Sequence, residues 1–277
     1  MKKNKIKLAA FDMDGTLLDG KSRITKNTER ALRCLIENGI RVAFVTGRVY
    51  VSPLAYARIH NLKVSIAATN GSFVCNEQRD TLYEATLDKS TVKKVLNLLK
   101  DKDYYFHLYP IDGLITSEQN SENPLSKIEG RMPRGDEDEM RRVILPFDDL
   151  YNVKDKIYKI IIIFKEPEDR LEFRKLLDFD GVFNSSSWFN NTEVTSPEGT
   201  KKHGIEALMN HYGFDWNEVA AFGDNENDLP MLNSAGKAFL MGNADEHIKK
   251  MTDAKVIGNN YEEGVYRALV EEFKLEC

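Results

Sequence analysis

Hydrophobic and polar positions change rhythm twice along this chain of 277 residues. Near the front, short unbroken apolar runs alternate with longer stretches of helical period. "IKLAAF" predicts a buried strand. In "TKNTERALRCLIENG", Ala31, Leu32, Leu35 and Ile36 share one helical face, with Thr25 placed as N-cap and Gly39 as the stop. "IRVAFVTGR" predicts the next strand, "YVSPLAYARIHN" a helix and "VSIAATNGS" a third strand. Strand, helix, strand, helix, strand implies a parallel sheet covered on both faces, with ligands outside the carboxyl ends of the strands.

The middle follows another rhythm. "SFVCNEQRDTLYEA" predicts a hairpin, "DKSTVKKVLNLLK" a helix, and "YYFHLYPIDGLITS" two strands turning between Pro110 and Gly113. "SENPLSKIEGRMPRGDEDEMRR" is polar and predicts an exposed connection; "IYKIIIIF", "EPEDRLEFRKLLD" and "GVFNSSSWFNNTEVT" then predict strand, helix and strands. After Pro197 the first rhythm resumes: helix in "GTKKHGIEALMNHYG", strand in "EVAAFGD", short helix in "ENDLPMLNSAG", strand in "KAFLMGN", closing helix in "EEGVYRALVEEF". The expected fold is α/β, a doubly wound parallel-sheet core formed by residues 1–81 and 188–277, interrupted by an inserted α+β module at 82–187.

Composition narrows the partners. A net charge of −5 argues against nucleic acid or an anionic membrane as main partner, since both reward a basic surface. Cys34, Cys75 and Cys277 are odd in number, widely spaced and without a C-x-x-C pair, which argues against a disulfide framework or zinc site and for a reducing cytoplasm. The basic start "MKKNKIKLAAFDMDG" meets Asp12 after too few apolar residues for a secretion signal, and no run is long enough to span a bilayer. A monomer or weak homo-oligomer is expected.

Candidate chemistry collects where strands should end. Asp12 and Asp14 flank one apolar residue, so in an extended chain both carboxylates point to the same side. Such a pair is tolerable if a cation sits between them, if they share a proton, or if the chain turns. "TGR" at Thr46–Arg48, Lys201 at a helix start and "GDNEND" at Gly223–Asp228 occupy three further strand ends. Each has a plainer explanation: turn chemistry for Asp12 and Asp14, a helix cap for Thr46, a solvated surface for Lys201, a helix start for Asp224 and Asp228. Converging on one crevice, they supply carboxylates, a hydroxyl, an ammonium and backbone amides suited to Mg²⁺ and a phosphoryl group.

"DMDGT", "TGR", the lysine of "GTKKHGI" and "GDNENDLPML" resemble the four ordered motifs of the haloacid dehalogenase superfamily, and the large insertion resembles its Cof-type, class IIB branch. "TNGS" at Thr69–Ser72, "MGNADEHIKKMTDA" and "EEGV" extend the likeness. The resemblance implies a Rossmann-like core with a mobile cap, hinged near residues 80–84 and 186–190, and phosphoryl transfer in two steps. Asp12 would be the nucleophile, forming an aspartyl phosphate, and Asp14 the general acid and base. Asp12, the Asp14 carbonyl and Asp224 would hold Mg²⁺, with Asp228 acting through water or orienting Lys201. Thr46, Gly47, Lys201 and Asn227 would bind the phosphate. Lys202 and His203 stand before Gly204, where the commonest third motif has lysine followed directly by glycine.

The expected activity is Mg²⁺-dependent hydrolysis of a small phosphorylated metabolite, of sugar phosphate, pyridoxal phosphate or flavin mononucleotide type. A phosphomutase using the same intermediate and a phospho-accepting signalling module are the alternatives. Tyr104, Tyr105, Phe106 and Tyr109 are expected as strand core residues, with stacking on a substrate ring as their other use.

Overall fold

The computed structural model describes residues 6–118, 140–187 and 190–274. Five strands open the chain: β1 (Leu8–Phe11), β2 (Arg41–Val45), β3 (Ser65–Ala68), β4 (Phe73–Cys75) and β5 (Thr81–Glu84). Six follow in the middle: β6 (Tyr105–Tyr109), β7 (Gly113–Ser117), β8 (Arg141–Leu145), β9 (Lys159–Ile163), β10 (Phe183–Ser185) and β11 (Asn191–Thr195). Three close it: β12 (Val219–Gly223), β13 (Lys237–Leu240) and β14 (Lys255–Val256).

They form two sheets. The first has the order β14-β13-β12-β1-β2-β3-β4-β5, parallel from β14 to β3 and antiparallel from there to β5. Alternation along each central strand divides its core between two faces. Ala9, Phe11, Val42, Phe44, Ala220 and Phe222 pack on one side, and Leu8, Ala10, Ala43, Val45, Val219 and Ala221 on the other. Helices Lys26–Glu37 and Gly264–Phe273 cover the first face, and helix Lys201–Tyr212 the second. Burial on both faces is why these strands are apolar runs rather than alternating ones. Phe11, Phe222 and Phe239 stack across three neighbouring strands with centroids 4.6 and 4.5 Å apart.

The second sheet has the order β10-β11-β9-β6-β7-β8. One face packs Phe106, Leu108, Ile160, Ile162 and Val194 against Val95, Leu96 and Phe173 of helices Lys89–Leu99 and Pro167–Leu176. The opposite face looks onto the carboxyl ends of the first sheet. The helix starts are set by short polar side chains: Thr25 accepts from Thr28 N, as the sequence predicts, and Thr200 accepts from His203 N.

The sheets divide the chain slightly differently from the sequence boundaries. β5 pairs with β4, so the first sheet reaches to Glu84, and β11 pairs with β9, so the second sheet reaches to Thr195. The second crossing therefore lies at residues 196–200, whereas Ser186, Ser187 and Asn190 lie between the paired strands β10 and β11. "NTEVT" carries no apolar run, and only its pairing reveals its sheet. Most of the expected polar connection lies outside the described residues, but its last two residues, Arg141 and Arg142, open β8, directly after the buried Met140. Cys75 is a buried free thiol, whereas Cys34 is disulfide-bonded, which corrects the expectation from cysteine count and spacing and removes that argument for a reducing compartment. Sequence spacing does not say which positions the fold brings together. Among the described residues no helix is long and apolar enough to cross a membrane.

Candidate active site

β1 stops at Phe11, and the extended alternation stops with it. Asp14 has φ −75° and ψ 124°, and Gly15 follows with φ +76°. The two aspartates therefore diverge: the turn, rather than a shared proton, separates them. A side chain at Gly15 is excluded twice, by its left-handed φ and because a Cβ there would lie 2.3 Å from Asp224 Oδ2.

Asp12 meets the end of β12 and the start of helix Lys201–Tyr212. Lys201 Nζ donates to Asp12 Oδ1 and to Asp228 Oδ1, each at 2.6 Å, and Lys201 is only 1% exposed. Asp228 Oδ2 accepts from the backbone N–H groups of Asp224 and Asn225, at 2.9 and 3.0 Å. Both oxygens of Asp228 are thus occupied in holding the lysine and the loop. Thr16 Oγ1 donates to Asp224 Oδ1 at 3.1 Å. One carboxylate oxygen from each of Asp12, Asp224 and Asp228 lies within 4.8 Å of the others, a set of hard oxygen donors that fits a divalent cation such as Mg²⁺.

Asp14 is not in that group. Arg48 grips it with both ends of the guanidinium, Nε to Oδ2 at 2.7 Å and Nη2 to Oδ1 at 2.6 Å. Thr46 and Gly47 follow β2, and the Arg48 N–H donates to Thr46 Oγ1 at 3.2 Å. A hydroxyl has one proton, so this contact leaves the Thr46 proton for another acceptor. Asn227 Nδ2 donates to Asn70 Oδ1 at 3.2 Å.

Electrostatics follow from burial. Burial pushes the Asp12 carboxyl up from 3.8 to about 7, against the pull of the Lys201 ammonium, and the neighbouring Asp228 adds repulsion. Asp224 is raised too, by burial and then by Asp12. Burial would lower the Lys201 ammonium, but Asp12 and Asp228 hold it above its ordinary value. A carboxyl raised in the fold stabilises it fully below about 3.8, and that contribution is lost as pH rises through about 7. The cation-free protein is expected to melt at lower temperature at pH 8 than at pH 5, and added Mg²⁺ to raise the midpoint more at pH 8, where protons no longer compete with it. Melting curves at both pH values check this; a Mg²⁺ effect larger at pH 5 would contradict it.

A cavity lies between this cluster and the second sheet. Asp12, Asp14, Thr46, Arg48, Asp224 and Asn227 line one wall; Tyr109, Lys159, Ile161, Ile163, Asn191 and Glu193 line the other. Of the four aromatics, Tyr109 faces the cavity, Phe106 is in the core beneath the sheet, and Tyr104 packs on Phe164 and Phe173. Tyr105 lies beside His107. The structure brings Asp12, Asp224, Asp228 and Lys201 into one cluster, places Thr46, Gly47 and Asn227 on the cavity wall, and turns Asp14 to Arg48. Arg48 and Asn70 lie in the quoted "TGR" and "TNGS" motifs without a role of their own there, and Lys159 and Glu193 lie outside every quoted motif. A lysine inside "YKIIII" was the available signal, since an apolar strand tolerates a charge only beside a partner.

The profile of the haloacid dehalogenase-like hydrolases matches residues 9–269. Phosphatase YwpJ of Bacillus subtilis is 27% identical, covering 94% of this chain and 97% of its own. The 5-amino-6-(5-phospho-D-ribitylamino)uracil phosphatase YitU of the same organism is 28% identical, covering 97% and 98%. A solved haloacid dehalogenase-like hydrolase from B. subtilis, 26% identical, superposes with TM-score 0.83 over 95% of this chain and 99% of that one. With motifs in order at the strand ends and this likeness along nearly its whole length, the chain belongs to the haloacid dehalogenase-like hydrolase family, in its Cof-type branch, and is a phosphatase.

Proposed function

We propose that this phosphatase hydrolyses monoesters of a small metabolite in two steps through an aspartyl phosphate on Asp12. The observation that carries this reading is the Lys201 ammonium seated between Asp12 and Asp228 while Asp224 completes the carboxylate group. The Asp12 carboxylate attacks phosphorus, the bond to the leaving oxygen breaks, and that oxygen takes a proton from Asp14. Asp14 then takes a proton from water, which attacks phosphorus and releases inorganic phosphate and the Asp12 carboxylate. Both Asp14 oxygens accept from Arg48 here, so the proton-donating step needs this pair to open around the substrate.

Asp12, Asp224 and the Asp14 carbonyl would hold Mg²⁺, with Asp228 orienting Lys201. When bound, the ion supplies charge that offsets repulsion between Asp12 and a dianionic ester. Thr46 Oγ1, the Gly47 amide, Asn227 and Lys201 bind the phosphoryl oxygens. The second sheet is a cap, formed by the insertion, that excludes water and contacts the leaving group. Its wall pairs the apolar Tyr109, Ile161 and Ile163 with the polar Asn191. That surface suits a leaving group with one apolar and one hydrogen-bonding side, such as the ring-bearing sugar alcohol in the name of YitU's substrate. The protein works as a monomer or weak homo-oligomer.

Phosphate release from a panel of sugar, nucleotide and cofactor monophosphates with Mg²⁺, with and without EDTA, tests this. Release stopped by EDTA and restored by Mg²⁺ is expected. Full activity in EDTA would remove the cation from the reading, and stimulation by a sugar bisphosphate without phosphate release would favour a mutase.

A further inference from the structure

A line of buried polar groups runs from the second sheet to the phosphate site. Glu193 on β11 is 2% exposed; its Oε1 accepts from Lys159 Nζ at 2.7 Å and Ser187 Oγ at 3.0 Å, and its Oε2 from Asn70 Nδ2 at 2.7 Å. Asn70 Oδ1 accepts in turn from Asn227 Nδ2 at 3.2 Å. Burial would raise the Glu193 carboxyl, but Lys159 and the Asn70 amide hold it below its ordinary range, so it is ionised.

Ionisation decides the rest by donor and acceptor count. A carboxylate has no proton to give, so Asn70 must turn its NH₂ to Glu193 and its carbonyl to Asn227. Asn227 must then present its NH₂ toward Asn70, which takes one proton and leaves one. An amide pair without the carboxylate has no such instruction, because either group can flip.

The backbone shows that this placement is held against local preference. Thr69 and Asn70 both have positive φ, 48° and 61°, which for a β-branched threonine is strained. Two backbone hydrogen bonds tie them to the loop after β2: Asn70 N to Thr46 O and Thr69 N to Arg48 O, each 2.8 Å. Lys159 reaches the same loop, donating to the Gly47 carbonyl at 2.6 Å.

We infer that Glu193 is a positioning residue for phosphoryl transfer: from the second sheet it orients Asn70, and through Asn70 it aims the free N–H of Asn227 at the phosphoryl oxygens. The phosphate site is complete only while the second sheet is docked. This rests on the phosphate-binding role proposed for Asn227.

The test compares Glu193→Gln with Glu193→Leu, both in a Lys159→Met background, so that both lack the same buried ion pair. Replacing such a pair by neutral groups of similar volume is commonly tolerated. A glutamine can present its oxygen to the Asn70 NH₂, losing only the carboxylate's exclusion of the flipped arrangement, whereas leucine cannot accept at all. The leucine variant is expected to show kcat lower than the glutamine variant by about 10–100-fold, with KM changed less than about threefold. When Asn227→Ala is added to each, the difference is expected to shrink below about threefold, as coupled positions require. Asn70→Gly relieves the positive φ while deleting the amide, so it should fold even if the leucine variant does not, and it is expected to show the same fall in kcat. Equal kcat in the two Glu193 variants, wild-type kcat in Asn70→Gly, or a difference that persists undiminished with Asn227→Ala would each overturn the inference. Wild-type kcat in Asn227→Ala alone would instead overturn the phosphate-binding role beneath it, and the inference with it.

Discussion

Asp12→Asn is expected to abolish phosphate release, lowering kcat by about 10⁴-fold or more, as removal of a nucleophile does elsewhere. The substitution is nearly isosteric. Lys201 can still donate to the amide oxygen, and Asp228 still holds Lys201, so the site should keep its shape. The fold should gain where the chemistry loses. Burial raises the wild-type carboxyl to about 7, so near pH 8 the cation-free enzyme carries a charge that its surroundings disfavour. The asparagine carries none. Without a cation, the variant is therefore expected to melt at or above the wild-type temperature at pH 8, with a midpoint less dependent on pH. Phosphate release measured with melting curves at pH 5 and 8 separates a dead but folded enzyme from a damaged one. Phosphate release within tenfold of wild type would sink the role assigned to Asp12.

What could be read from the sequence follows what each position buries. Strands covered on both faces are apolar runs, and β1, β2 and β12 were legible for that reason. Thr25 announced its helix through a local hydrogen bond three residues away. Asp12 and Asp224 were legible because the parallel strands β1 and β12 bring their carboxyl ends together, whatever the distance in sequence; Lys201 reaches them instead from the start of helix Lys201–Tyr212, which follows a strand of the second sheet. β8 was not, since "RRVIL" follows a polar connection and remains partly exposed. Glu193 and Asn70 are 123 positions apart and meet only where the second sheet faces the first. No local pattern marks such a pair. For Asp14 the sequence left three possibilities open, and the break after Phe11 realises the turn, sending the side chain to Arg48, a partner that no local pattern marks.

Lys201→Met is expected to damage both activity and stability. The ammonium is buried between two carboxylates, which keep its proton firmly held, so its contribution is present throughout the pH range in which the enzyme would be assayed. Removing it leaves Asp228 Oδ1 buried without its partner and lets Asp12, Asp224 and Asp228 repel one another. Breaking a buried pair from one side typically lowers stability by about 3–5 kcal/mol. Loss of a donor to developing transition-state charge lowers kcat by about 10²–10³-fold. Lys202 is the control. It is 41% exposed and 3.9 Å from Glu206, so Lys202→Met should change kcat less than about twofold, the scale of exposed pairs. Cation affinity separates the roles further, because deleting a positive charge beside three carboxylates should leave Mg²⁺ binding unchanged or tighter. Weaker Mg²⁺ binding together with a fall in kcat that saturating Mg²⁺ repairs would mean that Lys201 organises the cation site rather than the phosphoryl group. A loss of kcat that persists at saturating Mg²⁺ would place the ammonium on the phosphoryl transfer itself.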